Sequence, residues 1–288
     1  MSDEKLIEKE YGDDDKIQYK EIGKVGYITL NNPDKMNAIN MDMVYVLLKL
    51  LHEIENDSKV RCLVIKSAGD RVFSAGWDLS LFKQVSQETI DNLLNYGAMI
   101  SRTIYFMKKP VIVQIQGPAV GMGTIISLAA DFRIAAKNEK IFFQLPELEI
   151  GPGIFPATGP TVGAVTVLGP AHAKEMLLTA KKVPLEEFNQ WGGITEIIDP
   201  PEKLAKKVKK FARTLGRKSG TLLNLTNAAI NIMGNRIAKD CWDLENEMAV
   251  HYFNGMMGKE VPPESEFVNK MWKKYGTGTA EPPLDRSP

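Results

Sequence analysis

The stretch from Lys108 to Pro160 constrains the fold most. It opens on Pro110 to Gln116, a Val- and Ile-rich run of the length and composition of a buried strand. A glycine-rich turn, Gly117 to Gly123, leads into an apolar helix over Thr124 to Ala130, closed by Asp131. A second strand, Phe132 to Ala136, precedes a loop carrying Glu147 within LPEL. Strand, glycine turn and helix in direct succession leave the first N–H groups of the helix without intrahelical partners. The turn Gly121-Met122-Gly123 therefore has the makings of an anion or oxyanion site. The competing structural reading is that Gly117, Gly121 and Gly123 only allow strand and helix to pack closely.

The same strand–loop–helix rhythm recurs through the first two-thirds of the chain. Val25 to Leu30 reads as a strand, paired with Ile17 to Ile22 across a turn at Gly23. Asn40 caps a predicted helix over Met41 to Asn56. Val60 to Ser67 is a buried strand, and Glu88 to Met107 a long amphipathic helix. After Pro160 the pattern turns helical: Thr161 to Leu168, Ala171 to Thr179 beyond the Gly169-Pro170 break, and Glu202 to Leu215, then Leu222 to Ile232, Cys241 to Phe253 and Glu264 to Lys274. Ile194 to Ile198 is a short strand. The reading is an α/β fold of parallel strands in repeating units. It divides into a solvated acidic arm (1–16), a core (17–204), a helical region (205–275) and a Pro/Gly-rich flexible tail (276–288).

Composition excludes several classes. Lys plus Arg equals Asp plus Glu at 36 each, which argues against a general nucleic-acid binder despite the basic run Leu204 to Lys218. No apolar run has the length of a membrane span, and the acidic N-terminus has no signal-peptide core. Cys62 and Cys241 lack ligand or redox spacing, and His52, His172 and His251 do not cluster, so no metal site is expected. A reducing, cytoplasmic setting fits. None of the histidines has a nucleophile partner, which leaves a Ser/His/Asp hydrolase unsupported.

Six segments, in order, resemble the crotonase, or enoyl-CoA hydratase/isomerase, superfamily over about Ile17 to Tyr275. They are NNPDKMNAIN (Asn31 to Asn40), FSAGWDL (Phe73 to Leu79), KKPVIVQIQGPAVGMG (Lys108 to Gly123), AADFRIAA (Ala129 to Ala136), LPELEIG (Leu145 to Gly151) and EFVNKMWKKY (Glu266 to Tyr275). The resemblance implies a crotonase-type spiral of β-β-α units and a C-terminal helical trimerisation region, assembling as a homotrimer or a dimer of trimers. It implies an acyl-CoA substrate whose thioester enolate is held by two backbone N–H groups. No cofactor is implied beyond the coenzyme A of the substrate.

Carried over by position, the two backbone donors fall on Trp77 and Met122, the latter in a place where glycine is usual. Of the two glutamates of family hydratases, the first position is Ile125 here; the second is Glu147, with Glu149 competing because the loop is longer than usual. An apolar loop around Glu147 should raise its pKa into the range useful for moving protons near neutral pH. Coenzyme A contacts are expected from Asn37, Ala38, Ser74, Ala75, Asp78 and Leu79, with Lys35 and Lys270 as phosphate partners or, alternatively, solvated surface charges. Gly121, Trp77, Ile125 and Phe155 would shape the acyl pocket; Trp77 reads equally as a core aromatic. One acid favours double-bond isomerisation. Hydration of a 2-enoyl- or dienoyl-CoA, thioester or C–C hydrolysis, and acyl-CoA binding without chemistry remain alternatives.

Overall fold

The computed structural model describes residues 6–9, 15–82, 86–151 and 153–275, with the side chains of 6–9 and 232–240 outside that description. In chain order the strands are β1 (Leu6–Lys9), β2 (Ile17–Ile22), β3 (Val25–Leu30), β4 (Cys62–Ser67), β5 (Val111–Ile115), β6 (Ala119–Val120), β7 (Phe132–Ala136), β8 (Phe142–Gln144), β9 (Val183–Pro184) and β10 (Glu196–Ile198). The α-helices are α1 (Met41–Asn56), α2 (Gln87–Phe106), α3 (Met122–Ala129), α4 (Pro160–Thr179), α5 (Leu185–Gln190), α6 (Leu204–Gly216), α7 (Gly220–Met256) and α8 (Glu264–Tyr275).

Seven strands form one sheet in the order β1-β2-β3-β4-β5-β7-β10. The first three are antiparallel; from β3 onward every pairing is parallel, with Val25 opposite Cys62, Leu63 opposite Val111 and Ile112 opposite Phe132. Parallel strands covered on both faces read as continuous apolar runs, as CLVIKS and VIVQI do. A small second sheet, β6-β8-β9, was not expected from sequence. Its strands are too short to show a period.

Asn40 caps α1 as predicted, its side chain accepting from Met43 N at 2.9 Å. On α2 the buried face includes Gly97 and Ser101. Gly169, with φ 78° and ψ 163°, kinks α4 at the predicted break.

Three features differ from expectation. Residues Leu6–Lys9 of the arm pair with β2, extending the sheet, because an edge strand offers unpaired backbone groups to any neighbouring segment. Residues 1–5 and 10–14 of the arm and the whole tail 276–288 lie outside the described residues. The helical region does not begin cleanly after residue 204: α6 buries Leu204, Val208 and Ala212 against the main sheet, so only α7 and α8 are appended. Finally, α7 is one helix where two were predicted. It packs back on α2 and α4, and that contact bears directly on the site.

Candidate active site

Loops leaving the carboxyl ends of β4 and β5 meet above the sheet, the usual location of sites in parallel α/β folds. Ser74 bridges to Ala119; Phe73 N donates to Pro118 O at 2.9 Å and Val120 N to Ser74 O at 2.9 Å. The upstream loop then crosses to Ile39, whose N–H donates to Gly76 O at 2.8 Å and whose carbonyl accepts from Asp78 N at 2.8 Å. Alternation along this bridge turns the Trp77 N–H to the other side. Gly76, at φ 88°, sits so close to the second loop that a Cβ there would be 2.7 Å from Val120 O and 3.1 Å from Met122 N. No residue with a side chain fits.

The second loop settles whether a methionine can occupy its position without strain. The left-handed residue is Gly121, with φ 50° and ψ −121°, and Met122 is the first residue of α3. Its side chain is buried in the core, and its N–H belongs to the unpaired first turn. Among the described residues neither the Trp77 nor the Met122 N–H has a hydrogen-bond partner.

Glu147 reaches this crossing by way of β8. Gly121 N donates to Gln144 O at 2.9 Å, and the Thr124 hydroxyl donates to Ala119 O and Gln144 O, locking β8 to the glycine turn. Three residues on, a single 3-10 turn carries Glu147 into a cavity of about 90 Å³. Trp77, Gly121, Leu94, Phe155 and Thr158 are among the residues that line it with Glu147. Glu147 is only 8% exposed, and its Oε2 is buried with no hydrogen-bond partner. Burial pushes its carboxyl up to about 7, as the apolar loop predicted. Glu149 is exposed on the outer side of the same turn; the chain brings Glu147 to the cavity and leaves Glu149 outside it.

The remaining candidates divide. Ala75, Leu79 and Phe155 line the cavity, Leu79 being a 68% exposed apolar residue. The side chains of Asn37 and Ser74 are engaged in holding the loops. Asn37 Nδ2 donates to Ala68 O and Val72 O, while Oδ1 accepts from Asn32 N. Ser74 Oγ donates to Asn37 O at 2.8 Å and accepts from Gly76 N at 3.1 Å. Ala38 is buried beside them. Lys35 pairs with Asp78 Oδ2 at 3.0 Å. Asp78 also accepts from Ser80 N, and that bond, followed by the Lys35 pairing, holds its carboxyl down at about 2.

Two candidates are not brought to the cavity. Ile125 is packed in the core beneath it, since its position on α3 faces inward. Lys270 is exposed on α8, where its charge acts on Glu247. Among the other singled-out groups, Asp131 Oδ2 accepts from Val111 N at the start of β5, and His172 stacks on Trp191 at 4.4 Å rather than capping a helix.

Sequence reasoning missed two residues beside the cavity. Glu245, on α7, is buried and accepts from Gly159 N, Thr161 N and the Thr161 hydroxyl, capping the start of α4 from outside. Thr158, between them, lines the cavity. Neither has a local signature, because the partners that define them are far away in the chain.

A spiral-type parallel α/β core with appended helices, and a glycine-held loop crossing beside one buried acid, define a crotonase-type enzyme. Similarity to known proteins gives the family. The enoyl-CoA hydratase/isomerase family model matches residues 20–272, and the chain belongs to that family. It is 32% identical over 209 residues to the short-chain-enoyl-CoA hydratase of Clostridium acetobutylicum, covering 73% of this chain and 78% of that one. It is 33% identical over 208 residues to the crotonyl-CoA hydratase of Syntrophomonas wolfei, covering 72% and 78%. The fold matches a crystal structure of an enoyl-CoA hydratase/isomerase from Mycobacterium paratuberculosis with a TM-score of 0.76 at 24% identity, covering 84% of this chain and 95% of that one. Among the described residues no helix is long and apolar enough to cross a membrane.

Proposed function

We propose that this protein forms and stabilises the enolate of an enoyl-CoA thioester, with the Trp77 and Met122 N–H groups holding the enolate oxygen and Glu147 carrying the proton. The observation that carries this reading is the Glu147 carboxyl: buried, with an unpartnered oxygen, and sharing its cavity with Trp77 and Gly121. A base with a pKa near 7 can both take and return a proton at neutral pH. Each backbone donor to the oxyanion would contribute about 2.7–4 kcal/mol to the transition state.

With Ile125 in the core, Glu147 is the only carboxylate lining the cavity among the described residues. One acid suffices for allylic isomerisation: it removes a proton from one carbon and returns it two carbons along. The coenzyme A moiety would lie along Ala75 to Leu79 and the Asn37-Ala38 loop, with Lys35 exchanging Asp78 for a phosphate and Lys270 reaching one from α8. The scheme needs no cofactor beyond the substrate's own coenzyme A. An adjoining chamber of about 280 Å³ shares Phe82, Leu93, Leu94, Ile150, Ile154 and Phe253 with the cavity and suits a hydrocarbon acyl tail. Leu222, Leu225 and Ile230, exposed on α7, support self-association as a trimer or a dimer of trimers.

The test is incubation with 3-enoyl-CoA and 2-enoyl-CoA in heavy water. Double-bond migration with deuterium incorporation is expected, and its loss in Glu147→Gln with acyl-CoA binding retained. Turnover unchanged in that variant would refute the scheme. A second reading, hydration, is favoured by a specific observation: another polar group faces Glu147's cavity.

A further inference from the structure

Two side-chain oxygens among those lining the cavity are buried without any hydrogen-bond partner: Glu147 Oε2 and Thr158 Oγ1. Thr158 is 6% exposed. Its backbone is at φ 78°, a region that a β-branched residue enters only under strain. Such a residue persists only where its surroundings over-determine it.

The surroundings here do so from three sides. Ser101 Oγ on α2 donates to Thr158 O at 2.6 Å. The next N–H, of Gly159, donates to Glu245 on α7. The Thr158 methyl sits against Gly97, where a Cβ would lie 2.8 Å from Thr158 Cγ2 and 2.8 Å from Trp77 Cζ2. Methyl and backbone both being fixed, the stiff χ1 of threonine leaves the hydroxyl one direction. A residue with only a structural task at this φ would be served better by glycine or asparagine. Threonine adds strain and a buried hydroxyl with no partner in the protein, and each such group calls for an explanation.

We infer that the Thr158 hydroxyl holds the reacting water for hydration of a 2-enoyl-CoA, taking the place of a second carboxylate. The inference rests on the reading of Glu147 as the proton carrier. Glu147 Oε2 accepts one hydrogen of the water and Thr158 Oγ1 the other, which turns the water's lone pair toward C3. The water oxygen bonds to C3, the C2–C3 π pair moves into the enolate, and the enolate oxygen takes its place at Trp77 and Met122. Glu147 takes the water's proton and delivers it to C2 as the enolate collapses. The product is the 3-hydroxyacyl thioester, Glu147 ends as it began, and Thr158 is unchanged. The same site then performs isomerisation through Glu147 alone and hydration through Glu147 and Thr158 together.

The experiment measures both reactions in one set of proteins: wild type, Thr158→Val, Thr158→Ser and Glu147→Gln. Hydration is followed as 3-hydroxyacyl-CoA formed from 2-enoyl-CoA, and isomerisation as double-bond shift in 3-enoyl-CoA. Thr158→Val should lower the ratio of hydration to isomerisation by about 10- to 100-fold, the scale expected for a mispositioned reactant. Thr158→Ser, which keeps the hydroxyl, should hold the ratio within about 5-fold of wild type. If Thr158→Val does not fold, Thr158→Ala carries the same expectation. An unchanged ratio in the variant lacking the hydroxyl, an equal loss of both reactions, or a wild type that isomerises without hydrating would each overturn the role of Thr158 and leave the Glu147 reading standing. Isomerisation and hydration that both survive Glu147→Gln would instead remove the Glu147 reading.

Discussion

Glu147 and Glu245 are both buried carboxyls, and burial pushes both up to about 7. Their surroundings differ. Glu245 accepts from two backbone N–H groups and a hydroxyl at the start of α4, and both its oxygens are engaged. Glu147 lines the cavity beside the loop crossing, and its Oε2 accepts from nothing. A raised pKa therefore does not separate a working acid from a structural one. Hydrogen bonding taken together with position does: an unsatisfied oxygen in a cavity beside the loop crossing marks where a substrate or water belongs, and a fully satisfied carboxyl marks a clamp. The two are linked, since Glu245 holds Gly159, the neighbour of Thr158, which lines the cavity with Glu147.

The comparison breaks if the two variants behave alike. Glu147→Gln should lower turnover by about 10²–10⁴-fold, the usual contribution of a positioned acid or base, with acyl-CoA affinity retained. Next in size, Gly76→Ala should cost about 10²–10³-fold in turnover, because the added methyl pushes the Trp77 loop off Val120 and Met122. Steady-state kinetics on 3-enoyl-CoA reads both. Glu245→Gln should chiefly affect stability: an amide NH₂ facing the N–H donors at Gly159 and Thr161 leaves them unpaired, at about 1–3 kcal/mol by urea unfolding. Its turnover should fall far less than that of Glu147→Gln.

An effect on stability of similar size concerns pH. The folded-state pKa of Glu147 lies above its ordinary value of 4.5, so the protonated form is favoured by folding. That stability is complete below about pH 4.5 and is lost as pH rises through about 7. Thermal unfolding should show Glu147→Gln more stable than wild type at pH 8, by up to about 2–3 kcal/mol, with the difference vanishing near pH 4.5. Turnover dependent on the ionised base should rise through about pH 7 as stability falls.

Much of this was legible in the sequence. The glycine turn before α3, the Phe73 to Leu79 loop and the apolar setting of Glu147 are contiguous features, and local chemistry predicts where they lie. Glu147 is preferred from sequence, with Glu149 left as its competitor, because the 3-10 turn that buries one and exposes the other is not legible in the sequence. Asn37 and Ser74 were recognisable as important, but their task, bonding loops to one another, depends on partners more than 30 residues away. Ile125 follows the motif by position yet points into the core. Thr158 and Glu245 were invisible for the same physical reason: strain and capping there arise only once α7 folds back on α2 and α4. The two helical spans read from sequence, Leu222 to Ile232 and Cys241 to Phe253, are one helix, since a single glycine such as Gly234 between them costs only about 1 kcal/mol within a helix and tertiary packing overrides it.

The most direct measurement is a crystal structure with a bound acyl-CoA. The account predicts the thioester oxygen about 2.7–3.1 Å from both the Trp77 and Met122 nitrogens, with the Glu147 carboxylate facing the α-carbon from inside the cavity. A thioester oxygen bound elsewhere, or Glu147 turned away from the acyl chain, would contradict it.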